Sequence, residues 1–495
     1  MHTLILGAGP TGLVTAMLLA AEGHRVTVVD PDPGPPADGP HGVWEKWKRP
    51  GARQFAAAHV LAPAGYRILR RELPETVSEV LAWGGRRHNM IAGALSLLPD
   101  GAAEPDDERF DTVAARRPVL EAALLAVAER ATGITLRRGM RAVELLVGDP
   151  SEARGAHVTG VVLDDGEHVA ADLVVAASGR SRFAASFLDA VYADAAQADV
   201  PGIRPGGADI RPHEADIRPG GADRGFRYYT RHFRSADGSL PGPAPWPLHH
   251  HDSVSVIVVP GDNGTWSMTL VTSGADQKLR TLGRRDAWQR AAALYPGLAP
   301  WAEGEPIGGV VAMGGIHSVR RRLVHPGRPP VTGLVAVGDA WATTNPQFGL
   351  GMTLGITHAT LLRDVLRKAG PGTSRPAELA PLFHDMTERH LAPVWAGLAG
   401  WEAHRQAEID ADMRGEVHRS GDPAWNQHVA GRSACLRDAG VMRAMAEIGF
   451  LLTDSREAMG KPGLMARFAR LATNAPRYVD GPGRRELLTA VGDPA

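Results

Sequence analysis

Two stretches of this chain combine residue types and spacings that could hold a cofactor. The first is Gly7-Ala8-Gly9-Pro10-Thr11-Gly12, set between an apolar run at 3–6 and a stretch at 12–22 in which Leu13, Ala16, Met17 and Ala20 recur at helical spacing. Gly7 suits a tight turn, Gly9 lets backbone approach a pyrophosphate, and Gly12 lets a helix pack closely on a strand; Pro10 and Thr11 belong to the same candidate cofactor-binding turn. The helix start offers free N–H groups and partial positive charge to phosphate. A second apolar run at 26–29 ends at Asp30, an acceptor for adenosine ribose hydroxyls. This unit binds a dinucleotide and does not distinguish FAD from NAD.

The second stretch decides between them. Residues 333–352 read as a buried strand ending in Gly338-Asp339, then Pro346-x-x-Gly349-x-Gly351-Met352 opening a helix. An Asp at a strand end can bind a polyol hydroxyl. A Gly-rich helix start can bring N–H groups against a flavin pyrimidine edge, where negative charge develops on reduction. NAD has no ribityl chain, so the pair of motifs points to FAD.

These motifs need a parallel sheet, and the strand–helix–strand opening supplies a right-handed crossover unit. Helices are expected around 65–83, 118–131 and 351–368, with a long Pro/Gly-rich loop at 31–50. Strands are expected at 134–136, 141–146, 158–163 and 173–177, with Asp165-Gly166 as a hairpin turn. Alternating stretches at 227–233, 254–258 and 266–270, with Asp262-Asn263-Gly264 between the last two, predict an antiparallel sheet of another class. From about 371 the pattern is helical. The fold class is α/β: a Rossmann-like FAD-binding domain with an inserted antiparallel-sheet substrate domain and a helical C-terminal region. The expected boundaries are 1–75, 110–182 and 320–370 for the discontinuous FAD domain, 76–109 and 183–319 for the substrate domain, and 371–495 for the helical region.

The chain has 495 residues, 44% hydrophobic and 22% charged, enough for two or three domains. Its 54 basic and 55 acidic residues nearly cancel, so no global field recruits nucleic acid or an anionic membrane. No apolar run approaches the roughly 18 residues of a membrane span. One cysteine, Cys435, precludes a disulfide within the chain and suits a reducing cytoplasm, where the chain is expected to reside; the thiol itself reads as buried and inert. A seven-residue unit beginning at Gly202, Asp209 and Asp216 carries a proline in each copy and reads as a duplicated surface loop.

The paired motifs resemble those of the FAD-dependent aromatic hydroxylase-type monooxygenase superfamily, which also contains epoxidases, halogenases and some reductases. The resemblance covers roughly residues 1–370. It implies that Asp339 binds the ribityl and pyrophosphate and that Pro346, Gly349 and Gly351 lie against the isoalloxazine ring. Arg53-Gln54-Phe55 with His59-Val60-Leu61 resembles a loop near the flavin in a subgroup that includes bacterial polyether epoxidases. Arg117, in Arg116-Arg117-Pro118-x-Leu120-Glu121, resembles the arginine that faces FAD at a helix start. The implied activity is hydroxylation or epoxidation of a hydrophobic organic substrate, in secondary metabolism. In the mechanism the resemblance implies, reduced FAD would activate molecular oxygen as a C4a-hydroperoxide, so the cofactor would carry the hard chemistry and no catalytic side chain is singled out.

The chain departs from the family in two places. The Asp-Gly pair that serves both FAD and NAD(P)H is missing from the stretch 172–181, so the reductant is NAD(P)H acting either directly or through a partner flavin reductase. The Trp-x-Trp-x-Ile-Pro segment of flavin-dependent halogenases is also missing, Trp266 standing in the nearest stretch. The rival readings are a flavin reductase or dehydrogenase, a halogenase, and a non-catalytic FAD-binding regulator. His249-His250-His251 lacks metal-ligand spacing and reads as an exposed loop, so no metal is expected. Arg320-Arg321-Arg322 reads as a solvated strand end, His358 as satisfied locally, and Trp341 as either lining a flavin or packing beneath it.

Overall fold

The opening run forms the strand His2–Leu6, Gly7 turns at φ 114°, and the helix Pro10–Ala21 starts at once, with Gly9 as its N-cap and Pro10 in its first turn. Around this strand stands a five-stranded parallel sheet in the order Leu334–Ala336, Leu173–Ala176, His2–Leu6, Arg25–Asp30, Ile134–Arg138. Its three central strands are buried, with helices such as Pro10–Ala21 on one face and the three-stranded sheet Ala142–Val147, Val158–Leu163, His168–Ala170 on the other. The structure, a computed structural model, describes residues 1–36, 38–52, 54–148, 156–181, 183–184, 186, 225–321, 324, 331–370, 376–473 and 475–492. The repeat at 202–222 therefore lies outside the described residues, as do Arg53 and Arg322.

The second sheet is antiparallel, in the order Leu248–His250, Val254–Pro260, Thr265–Ser273, Phe226–Arg234, Glu305–Ile316. The expected three strands are its centre. The fourth, Glu305–Ile316, has glycines at 308, 309, 314 and 315 that hide the alternation and pairs with two register shifts. The fifth begins at Leu248, which corrects the reading of the histidine triplet as an exposed loop: His250 and His251 are buried, and His250 bonds to Ser255 Oγ at 2.9 Å.

Other expectations need correction. The single helix expected over 65–83 is two helices, Pro63–Glu72 and Pro74–Ala82. Pro74 lacks an N–H and drives Leu73 to φ −140°, ψ 59°, which ends the first helix. The loop expected at 31–50 contains the helix Gly39–Lys46. The arginine run is no solvated strand end: Arg320 is ion-paired with Glu388, and the buried Arg321 donates to the Asp339 carbonyl at 2.7 Å.

Beyond the helix Gly351–Ala369 come Pro376–His390, Ala392–Met413, Pro423–Ala434, Ala439–Gly449, Ser455–Met459, Leu464–Ala472 and Arg484–Val491. Buried charge fastens this region to the rest. Fully buried Arg405 bonds to Glu408 at 2.5 Å and donates to the carbonyls of His251 and Val254 at 3.0 Å each, locking the long helix onto the sheet's hairpin. Arg432 shares the same carboxylate at 3.0 Å. Arg443 grips Asp107 at 2.8 and 2.7 Å. No described helix is long and apolar enough to cross a membrane.

A buried pair joins the antiparallel sheet to the start of the helix Arg117–Arg130. Asp262, in the turn between two central strands, accepts from the Arg116 backbone N–H at 2.7 Å and from its guanidinium at 3.0 and 2.7 Å. Arg116 is the N-cap of the helix Arg117–Arg130. Burial pushes the Asp262 carboxyl upward, but the Arg116 hydrogen bonds and charge outweigh it and hold the group below its ordinary range. Asp262→Ala leaves a buried guanidinium unpaired, and denaturant unfolding at neutral pH is expected to show a loss of about 3–5 kcal/mol. A depressed folded pKa gives stability that is complete above the ordinary Asp value and fades as pH falls through the folded one. The gap between wild type and variant should therefore narrow below about pH 4. A gap that does not change with pH would remove the ionic account.

Candidate functional site

A cavity of about 2010 Å³ runs from the first Gly-rich turn, past the second motif, to a chamber beneath the antiparallel sheet. A single small-molecule site occupies roughly 300–1,000 Å³, so this space can hold a dinucleotide and a second molecule.

At the dinucleotide end, Gly7, Gly9, Pro10, Thr11 and Asp30 line the wall. A side chain at Gly7 would stand 2.6 Å from the Ala177 carbonyl oxygen, whereas one at Gly9 would meet nothing, which leaves open space over the helix start for phosphate. Gly12 does not line the cavity; a side chain there would collide with the Gly7 carbonyl, so its role is close packing. Asp30 accepts from Ala8 N at 2.5 Å, Asp32 N at 2.8 Å and Arg49 at 2.8 Å. Arg49 also reaches Glu121 at 2.5 Å, and Glu121 accepts from Arg117 at 2.5 Å. Asp32 in turn takes Arg138 at 2.9 Å and the Trp47 indole at 3.0 Å. Arg49, Asp32 and Arg138 were not anticipated: Arg49 sits in a Pro/Gly-rich stretch with no periodicity, and its partners are 19 and 72 residues away.

In the middle, Arg117, Asp339, Pro346, Gly349, Gly351 and Met352 line the cavity. Loss of solvent raises the Asp339 carboxyl above its usual range, although Arg180, Arg117 and Arg321 pull the other way. Such a carboxylate gains from hydroxyl donors, which a ribityl chain provides. Gly338, at φ 58°, lies just behind: its N–H donates to His358 Nδ1 at 3.2 Å, and a side chain there would press on Thr11. His358 is fully buried, held neutral near a pKa of about 3 by burial, and bonded to Thr387 at 2.9 Å, so its role is to seat Gly338. Trp341 packs edge-on to His358 and is buried beneath the motif.

The turn Pro346–Phe348 ends at Gly349, whose φ of 66° suits glycine and whose missing side chain leaves room for Val60. A polar chain braces it. Asn345 Oδ1 caps Gln347 N at 3.0 Å and accepts from the Tyr228 hydroxyl; Asn345 N donates to Ser318 Oγ at 3.2 Å; Ser318 donates to Glu402 at 2.9 Å through its N–H and at 2.5 Å through its hydroxyl. The helix Gly351–Ala369 begins two residues after this turn, and its first N–H groups have no intrahelical acceptor.

The far chamber has apolar walls. Ile257, Val259, Met313 and Ile316 come from the antiparallel sheet, and Leu398, Trp401, Leu436 and Ile448 from the C-terminal helices. Phe348 packs edge-on to Trp401 with ring centres 4.5 Å apart, joining the Pro346–Phe348 turn to this roof. Burial holds His428 near a pKa of about 3 and His249 near about 4, so both are neutral. Cys435 faces the chamber with its thiol pushed up to about 12 by burial, protonated and inert. Among the described residues no group of three His, Cys, Asp or Glu is placed to hold a metal ion.

A family model described as an NAD(P)-binding Rossmann-like domain matches residues 5–68. The Mycobacterium tuberculosis protein Rv3254 is 27% identical over 422 residues, covering 80% of this chain and 78% of that protein. Among solved structures, PqsL, a probable FAD-dependent monooxygenase from Pseudomonas aeruginosa, is similar at 17% identity and TM-score 0.55, covering 84% of this chain and 98% of its own. CmlS, a flavin-dependent halogenase, is similar at 15% identity and TM-score 0.55, covering 95% and 77%. The chain thus has the fold of flavin-dependent monooxygenases and halogenases, the fold that its motifs resemble.

The placement of Asp339 gives a test. Asp339→Ala removes charged hydrogen bonds to a cofactor hydroxyl and is expected to weaken FAD binding by about 1.5–3 kcal/mol, roughly ten- to a hundredfold. Titration followed by flavin fluorescence reads this directly. The unfolding curve of the FAD-free protein should stay close to wild type, because the carboxylate faces the cavity.

Proposed function

We propose that this chain is an FAD-dependent monooxygenase acting on a hydrophobic organic substrate. The observation that carries the reading is one continuous cavity that joins a dinucleotide cradle, a polyol-binding Asp, an exposed helix start and an apolar chamber. When bound, FAD supplies the redox and oxygen-activating chemistry. The turn at Gly7–Gly12 and the Arg117 guanidinium hold the pyrophosphate, Asp30 the adenosine ribose, and Asp339 the ribityl hydroxyls. The N–H groups at Gly351 and Met352, which start a helix, would favour negative charge on a flavin bound beside them.

The rest of the chain's contribution is enclosure. The sheet on one side and the helical roof on the other exclude bulk water, and the neutral histidines supply no cationic acid to divert the reaction. Ser178-Gly179 stands at the end of the strand Leu173–Ala176, where the family pattern has Asp-Gly. We therefore assign flavin reduction to a partner reductase using NAD(P)H.

Anaerobic spectroscopy tests both parts. The protein should take up FAD and show a visible flavin band; NADPH or NADH alone should leave the band in place, and a flavin reductase added with them should bleach it. Bleaching by nicotinamide alone would move the reduction step onto this chain. Turnover under ¹⁸O₂ should place one labelled oxygen in the product, and unlabelled product would favour a dehydrogenase.

A further inference from the structure

One buried cation in the chamber wall is only partly engaged by the protein. Arg432 is 7% exposed, and its Nη1 donates to both oxygens of Glu408 at 3.0 Å. Its Nε and Nη2 are buried without a hydrogen-bond partner. Trp425 lies against the guanidinium with Cζ 4.8 Å from the ring centre, a face contact that occupies no N–H. Arg405 differs in engaging every nitrogen: Nε with Ser255, Nη1 with Glu408 and Nη2 with two carbonyls.

Arg432 sits on the cavity-facing side of its helix. His428, Gly431 and Arg432 stand three and four residues apart on Pro423–Ala434, and Cys435 and Leu436 continue that spacing past its end; all five line the cavity. Positive charge is in excess around it. Glu408 is shared by Arg405, Arg432 and Arg477, and Asp412 pairs with Arg477, so three guanidiniums meet two carboxylates. Burial lowers the Arg432 pKa to about 10, against the pull of Glu408, and the group stays charged at neutral pH. His250 and His428, close enough to feel that charge, are held neutral by burial.

The Nε–H and an Nη2–H of one guanidinium lie side by side in one plane, the geometry that meets the two oxygens of a carboxylate. The protein uses this edge elsewhere: Arg116 presents it to Asp262, and Arg443 to Asp107. At Arg432 no protein carboxylate takes it, although buried N–H groups are almost always satisfied. We propose that Arg432 anchors the carboxylate of an otherwise apolar acid through this two-point ion pair. The inference rests on the reading of the cavity as an FAD-dependent oxidation site and deepens it by giving the substrate class. The anchor also sets orientation. Trp401 bonds to His428 at 2.7 Å and packs on Phe348, so it stands between the anchoring helix and the Pro346–Phe348 turn. The apolar end of the acid, and not its charged end, faces that turn.

The test uses anthracene-2-carboxylate and anthracene-2-carboxamide, alike in shape but differing in charge, in equilibrium dialysis at neutral pH against the FAD-loaded full chain. Wild type should bind the carboxylate at least about tenfold more tightly than the amide. Arg432→Lys keeps a cation beside Glu408 but has no fork, and should shrink that preference to about threefold or less. Arg432→Leu should abolish it. Leu436→Trp leaves Arg432 and Glu408 in place and fills the space one turn on; it should weaken carboxylate binding at least about tenfold. Equal binding of the two probes by wild type, no binding of either, or a preference unchanged in both Arg432 variants overturns the proposal. Carboxylate binding unchanged in Leu436→Trp also overturns it. Dialysis is repeated without FAD: failure to take up FAD with the carboxylate preference intact sinks the cofactor reading and leaves the anchor standing, and FAD uptake with no preference does the reverse.

Discussion

Everything in this site hangs on how closely two helices approach at Thr11. The helix Pro10–Ala21 and the helix Gly351–Ala369 come from distant parts of the chain, and the Thr11 side chain stands where side chains at Gly338 and Gly355 would otherwise sit. Gly12 plays the same part toward the Gly7 carbonyl. These glycines contribute no contacts of their own; they permit a distance. With that distance set, two helix starts aim at one space, and their unpaired N–H groups make it electrically suited to an anion at both ends.

Charge around that space is balanced in two different ways. At the adenosine end the acids Asp30, Asp32 and Glu121 are met by Arg49, Arg117 and Arg138 within hydrogen-bonding distance, a closed set that holds its shape without a ligand. Near Asp339 the balance is open: three arginines act on it through space while solvent is withheld. The first arrangement fixes Asp30 and Arg117 in place before a ligand arrives, and the second is open, so the carboxylate that gains most from a bound hydroxyl is Asp339.

The geometry of the first strand–turn–helix was legible because it is written in backbone terms, as glycines at fixed offsets between a strand and a helix. The strand-to-helix passage through Gly338-Asp339 was legible for the same reason, and the three central antiparallel strands for their strict alternation. What escaped was contact across distance. Arg49 lies in a stretch without periodicity and reaches Glu121. Glu402 braces the Pro346–Phe348 turn through Ser318 from a helix that reads simply as Ala-rich. The histidine triplet misled because its neighbours carry no buried-strand pattern; Arg405, far along the chain, covers it by bonding to the carbonyls of His251 and Val254. The strand Glu305–Ile316 escaped because glycines erase alternation while still permitting pairing.

The roof over the chamber is held from its outer side. Arg405, Glu408 and Arg432 bond to one another and to the hairpin, leaving Leu398, Leu436 and Ile448 on the inner side with no hydrogen bond to keep. A methylene added or removed at such a position alters the room for a guest, worth about 1–3 kcal/mol of discrimination, without touching the ionic clasp. The scaffold is therefore evolvable in a specific sense: the room in the chamber can change in small steps through the last helices, while the two Gly-rich turns at 7–12 and 338–352 stay constant.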